Sequence, residues 1–269
     1  MRRFLELTLI AFHVLLLVAC TAPQAEVDKA VEPKLVQVHA QDDLVLFGDY
    51  YAVPTDLVPE KGAPAVLLMH DAATTRENWS PLVEELNRAK YQVLAVDLRG
   101  FGKTGGNADA EAAIGNVVVW LEWLRSQPDV RTDQIILGGA GLGGHMAING
   151  CAQDAGCLMV FALSPGCVGR TDSSCPQILA HEPGLDVVVD ETAQAVLDGL
   201  VDRPLLLMAK QGSDYADDSV EMLTSLVEGD VTLRLYQSGS RSLSGLFDDE
   251  HLRDFVLYWL QSNMPVNES

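Results

Sequence analysis

The chain has 269 residues and a formal charge of −20, from 38 acidic and 18 basic side chains. A surface this acidic repels polyanions, which makes nucleic acid and anionic lipid headgroups poor partners. With 48% hydrophobic residues the chain is long enough for one domain with a full core, and the acidity reads first as a solubility device.

Arg2 and Arg3 precede an apolar run broken only by Glu6, Thr8 and His13, and the run ends in Leu17-Val18-Ala19-Cys20. A charged start followed by a short apolar run is an export signal rather than a membrane span. Its end resembles the lipobox of bacterial lipoproteins. That resemblance implies that residues 1–20 form a lipoprotein signal peptide, with Cys20 lipidated as the mature first residue. The protein would then be extracytoplasmic, held to a membrane at the cell surface or in the periplasm. Residues 21–33 lack hydrophobic periodicity and contain Pro23 and Pro33, so they read as a tether.

The folded domain is expected over residues 34–263. An antiparallel pair is predicted at Leu35–His39 and Leu44–Val53, followed by a continuous apolar strand at Ala63–His70. A helix over about Pro81–Ala89 takes Ser80 as its N-cap. The strand Tyr91–Leu98 leads into the glycine-rich run from Arg99 to Gly106. Ile114, Val117, Val118, Leu121 and Leu124 then mark a helix over about Asp109–Ser126. Ile135, Ile136 and Leu137 form a buried strand that enters the turn Gly138-Gly139-Ala140-Gly141-Leu142-Gly143-Gly144. The strand Cys157–Leu163 follows, then a cap-like excursion over about 166–202 and the strand Pro204–Ala209. A helix near Ser219–Val227, the strand Val231–Tyr236 and a last helix from Asp248 to about Ser262 complete the pattern. Strands alternating with helices at this spacing give an α/β fold with a mostly parallel sheet covered on both faces.

Four cysteines remain after Cys20: Cys151, Cys157, Cys167 and Cys175. An even number in an oxidising compartment predicts disulfides with three possible connectivities, of which nearest-neighbour pairing, Cys151 with Cys157 and Cys167 with Cys175, is the simplest. No cysteine or histidine spacing supports zinc. A dinucleotide site is the competing reading of the glycine-rich turn. It fails because the glycines follow a late strand and no ribose-binding acid lies about 20 residues on. No cofactor is expected.

Met69-His70-Asp71, Val96-Asp97-Leu98-Arg99-Gly100-Phe101-Gly102 and Gly139-Ala140-Gly141-Leu142-Gly143 resemble, in order, the motifs of α/β-hydrolases of the dienelactone hydrolase and serine peptidase type. The resemblance spans roughly residues 35 to 262 and implies the α/β-hydrolase fold. It also implies a triad in the order nucleophile, acid, histidine. The nucleophile position is Gly141, which has no side chain to attack with. The acid position is Asp214, in the loop after the Pro204 strand. The histidine position falls in a loop, residues 237–247, that contains no histidine; Arg241 or Ser242 stands there, and neither is a base near neutral pH. The oxyanion-hole donors would be the backbone N–H groups of Ala72 and Leu142. His70 would brace the oxyanion loop, and Asp71, where the family usually has glycine, would oppose a developing oxyanion.

Substitutes are few. His251 falls at the margin of the last helix, His145 one turn after Gly141, and Ser164 has no visible base partner. His70, Asp71 and His145 are the one set that could gather a metal, and none is expected. The reading that follows is a membrane-anchored hydrolase-like protein that binds a small ligand or a protein without cleaving it. An active esterase or peptidase with a non-standard site is the alternative, and a structural envelope protein the second.

Overall fold

All of Ala63–Met69 except Pro64 is buried, which requires a strand covered on both faces. The computed structural model describes residues 31–72, 74–165, 191–212, 216–237 and 249–264. In it this segment is the third strand of an 8-stranded sheet. The strands are β1 (Lys34–His39), β2 (Val45–Tyr51), β3 (Ala63–Met69), β4 (Gln92–Val96), β5 (Val130–Ala140), β6 (Cys157–Leu163), β7 (Leu205–Lys210) and β8 (Val231–Tyr236). The helices are α1 (Ser80–Arg88), α2 (Ala110–Arg125), α3 (Leu142–Gln153), α4 (Glu191–Asp198), α5 (Ala216–Leu226) and α6 (Glu250–Asn263).

The strand order is β1-β2-β4-β3-β5-β6-β7-β8. Pairs β1/β2 and β2/β4 are antiparallel and the remaining pairs are parallel. The side chains of β3 alternate between two apolar layers. Ala65, Leu67 and Met69 pack in the layer of α2, α3, α4 and α5, while Val66 and Leu68 pack in the layer of α1 and α6. After β3 the chain leaves toward one layer, and after the adjacent β5 it leaves toward the other. That divergence makes the carboxyl ends of β3 and β5 the switch point, where α/β sheets place their sites.

Two expectations are corrected. Ser80 is not the N-cap of α1, because a 3-10 turn, Arg76–Trp79, runs directly into the helix and is closed by a capping box of Thr75 and Asn78. The Ser80 hydroxyl instead donates to the Glu77 carbonyl at 2.6 Å. Strand β5 begins at Val130 rather than Ile135, because Val130 pairs with Ala63 across the sheet, a contact the polar stretch Arg131–Asp133 conceals.

A disulfide joins Cys151 near the end of α3 to Cys157 at the start of β6, with both residues buried and a Cα–Cα distance of 5.2 Å. Cys20, Cys167 and Cys175 lie outside the described residues, as do the signal segment, most of the tether and residues 166–190 of the excursion. Among the described residues no helix is long and apolar enough to cross a membrane.

His145, in the first turns of α3, is 1% exposed. Burial pushes its imidazole down to about 4, and the neutral ring accepts from Asn149 Nδ2 at 3.2 Å. The unfolded chain therefore binds the proton near 6.5 and the folded chain only near 4. Stability from this ring is complete above about pH 6.5 and is lost as pH falls toward about 4, by about 3 kcal/mol. Melting temperature should fall across that interval, and less steeply in His145→Gln; parallel curves for the two proteins would show that another group is responsible.

Candidate functional site

Register brings the site together. Met69 lies beside Gly139 and Ala140 beside Leu163, so Asp71, Gly141 and Ser164 emerge from three neighbouring strand ends. Gly141 turns the chain from β5 into α3 at φ 51° and ψ −119°. A residue with a β-carbon pays about 1–3 kcal/mol of strain there, and glycine almost none. The crossing is tight on both sides. A β-carbon at Gly139 would lie 2.1 Å from the Gly143 carbonyl oxygen, and one at Gly143 would lie 2.1 Å from that of Met69. The sharp strand-to-helix turn is thus preserved although its central residue carries no reactive atom.

The space above Gly141 is filled. A β-carbon on this residue would fall 1.9 Å from Asp71 Oδ1 and 2.3 Å from the Asp71 carboxyl carbon. That same Oδ1 accepts from the backbone N–H of Ala72 at 2.7 Å and of Leu142 at 3.3 Å. The two donors that the hydrolase resemblance assigns to an oxyanion hole therefore converge on one oxygen, and it belongs to the protein itself. Leu142 is the first residue of α3, where the unpaired N–H groups and the helix dipole favour a negative charge.

The backbone of Asp71 is fixed from behind. Its carbonyl accepts from His70 Nδ1 at 2.7 Å and from the N–H and hydroxyl of Thr74, both at 3.0 Å. His70 Nε2 accepts the Leu98 N–H at 3.0 Å, tying the end of β3 to the end of β4. Burial holds the His70 imidazole below its usual range, which keeps the ring neutral and its tautomer set: Nδ1 donates and Nε2 accepts. Below it, Arg76 pairs with Asp49 at 2.8 Å and with Asp97, and Asp97 Oδ2 also accepts the Lys103 N–H at 2.8 Å. Asp97 and Arg76 are 1% and 4% exposed; removing one partner of so buried a pair typically costs about 3–5 kcal/mol.

The remaining candidates do not complete a triad among the described residues. Asp214, Arg241 and Ser242 lie outside those residues. Ser164 adopts φ 41° and its hydroxyl bonds to Tyr236, a phenol whose pKa burial raises, so the partner is no base. His145 is buried against Asn149, His251 lies exposed in the first turn of α6, and both nitrogens of His70 are committed. No three His, Cys, Asp or Glu side chains gather at metal spacing among the described residues. A cavity of about 380 Å³ lies elsewhere, bounded by Gln41, Asp42, Arg99, Asp109, Glu111 and Asn116, with no residue of the elbow in its wall.

Asp71 and Gly141 thus behave as one paired exchange: the carboxylate fits only because the elbow has no side chain. Gly141→Ser should lose about 1–3 kcal/mol to backbone strain and a similar amount to the collision with Asp71. In an Asp71→Gly background the second part should vanish. Denaturant unfolding of the four proteins in this cycle should give a coupling of about 1–3 kcal/mol; additive effects would mean the two residues do not share this space.

Comparison with known proteins agrees with the architecture. Over 127 residues the chain is 26% identical to the uncharacterized protein YfhR of Salmonella typhi, a match covering 47% of this chain and 43% of that protein. The match thus spans less than half the length of the curated relatives. Among solved structures, the alpha/beta hydrolase GrgF from Penicillium sp. superposes with a TM-score of 0.66 at 17% identity, covering 86% of this chain and 99% of the other. A dienelactone hydrolase from Anabaena variabilis gives 0.61 at 16% identity, covering 87% and 100%. A Pyrococcus furiosus esterase gives 0.63 at 18%, covering 88% and 92%. At these identities the structural likeness establishes the fold alone. The sequence model of the alpha/beta hydrolase family matches residues 66–260, and the chain belongs to that family.

Proposed function

We propose that this protein is a membrane-anchored, extracytoplasmic member of the family that binds a small ligand or a protein partner and does not turn over acyl substrates. One observation carries the reading: the Asp71 carboxylate occupies both backbone donors and the nucleophile's space. Acyl hydrolysis needs those donors free for the substrate's carbonyl oxygen, and losing a single one costs a factor of about 10²–10³ in rate. Here the Asp71 carboxylate holds them, Gly141 has no nucleophile, and residues 237–247 contain no histidine to serve as base. Three requirements of the acyl mechanism fail separately, so no one substitution restores it. The anchor is assigned from Arg2, Arg3 and the run ending in Cys20. A formal charge of −20 supports a partner that is not nucleic acid.

Labelling with a fluorophosphonate probe and turnover of p-nitrophenyl esters test the catalytic half. Wild type and Gly141→Ser should both be inactive; turnover by either would show that a nucleophile and base are in place. The anchor is tested separately by metabolic labelling with palmitate, which Cys20→Ala should abolish. Unchanged labelling in that variant would refute lipidation at Cys20.

A further inference from the structure

The cavity of about 380 Å³ shares no wall residue with the elbow, and its volume falls among those of small-molecule sites, about 300–1,000 Å³. Three elements enclose it: the β1–β2 turn at Asp42, the loop after β4 at Arg99, and the start of α2. Arg99 is only 7% exposed. A guanidinium has five N–H donors, and Arg99 gives two of them to Asp42, at 2.8 and 2.7 Å. In the amide orientation that satisfies both of its ends, Asn116 accepts from Arg99 Nε at 3.2 Å and donates to the Ala112 carbonyl at 3.0 Å. Two donors of this buried group thus have no partner among the described residues.

The start of α2 adds unmatched acceptors. Asp109 caps the helix through Oδ1, which accepts the Ala112 N–H at 2.9 Å, while its Oδ2 and both oxygens of Glu111 have no partner among the described residues. Between them and Asn116 the wall contains Gly115. A β-carbon there would meet nothing within 4 Å. Glycine weakens a helix interior relative to alanine, and here no neighbour's packing requires it. Its effect is to leave the cavity open down to the helix backbone.

We propose that this cavity binds a small hydroxylated amine of the amino-sugar class. The wall selects that chemistry. Asp42, Asp109 and Glu111 face a single guanidinium, and the excess of negative charge calls for a cation. The spare donors of Arg99 call for acceptors, which an ammonium group lacks and hydroxyl groups supply. One ligand has to offer both. A metal ion does not fit, since no three acidic or histidine side chains gather at metal spacing among the described residues. Nor does a quaternary ammonium, which is held by aromatic faces that the described wall does not contain. In the proposed complex the ammonium sits at Glu111 and Asp109 Oδ2, and hydroxyls accept from Arg99. This deepens the binding reading, on which it rests, by naming a ligand class and placing it away from the elbow.

The purified full chain is titrated calorimetrically, in a buffer free of amines, with glucosamine, N-acetylglucosamine and glucose. Glucosamine should bind once per chain and about tenfold more tightly than the other two, because it alone brings a charge to the carboxylates. Glu111→Gln, a change at an exposed position, should shrink that preference severalfold. Gly115→Leu should abolish binding by filling the cavity, with an unchanged melting temperature as the control for folding. Wild-type protein that fails to bind glucosamine, or binds it no more tightly than N-acetylglucosamine, would overturn the proposal whether or not the variants fold. So would undiminished binding in Gly115→Leu. Any of these results would leave the absence of ester turnover intact, whereas ester turnover by a protein that binds glucosamine would defeat only the non-catalytic reading.

Discussion

The carboxylate of Asp71 rests on the backbone N–H groups of its neighbour Ala72 and of Leu142, 71 residues further along the chain, and the arrangement makes demands on everything around it. β3 and β5 must be neighbours, in the register that sets Met69 beside Gly139. Gly141 must remain without a β-carbon, since the carboxyl group stands where that atom would be. The Asp71 carbonyl must be pinned, and His70 and Thr74 pin it. His70 in turn must stay neutral, which its burial ensures. A single charge–dipole contact thus links sheet order, loop geometry and the glycine at position 141.

A serine on the elbow and a small residue on the oxyanion loop would leave an empty hole above a nucleophile. Here position 141 has no side chain, and the Asp71 carboxylate stands at the two backbone donors instead. The backbone groups that hold that carboxylate belong to the turn and the helix N-terminus rather than to the residue at its apex. The chain thus forms a sharp strand-to-helix turn, including the close approach of Gly143 to the Met69 carbonyl, around a residue that has no side chain.

Much of the architecture was legible in the sequence because it depends on local patterns. Apolar runs of strand length such as Ala63–Met69 and Cys157–Leu163 read as buried strands, and the glycines at 139, 141 and 143 mark the elbow by its resemblance to the hydrolase motif. The start of β5 at Val130 was hidden, since the charged residues that follow it give no strand signal and only the pairing with Ala63 makes one. The capping of α1 was misplaced for a similar reason: Thr75 and Asn78 close a 3-10 turn that blends into the helix, so the polar residue nearest the apolar run was not the cap. At the site, the sequence indicated that Asp71 was out of character and that Gly141 could not react. That the two anomalies are one feature is a matter of three-dimensional distance, and no pattern along the chain encodes it.

The most direct measurement of the central contact is a pH titration of the backbone amides by NMR. If the Asp71 carboxylate holds the hole, the amide protons of Ala72 and Leu142 should shift together as that carboxylate is protonated, and both should lose this titration in Asp71→Asn while neighbouring amides of α3 keep theirs. Amides of Ala72 and Leu142 that titrate independently, or that behave identically in Asp71→Asn, would contradict the account.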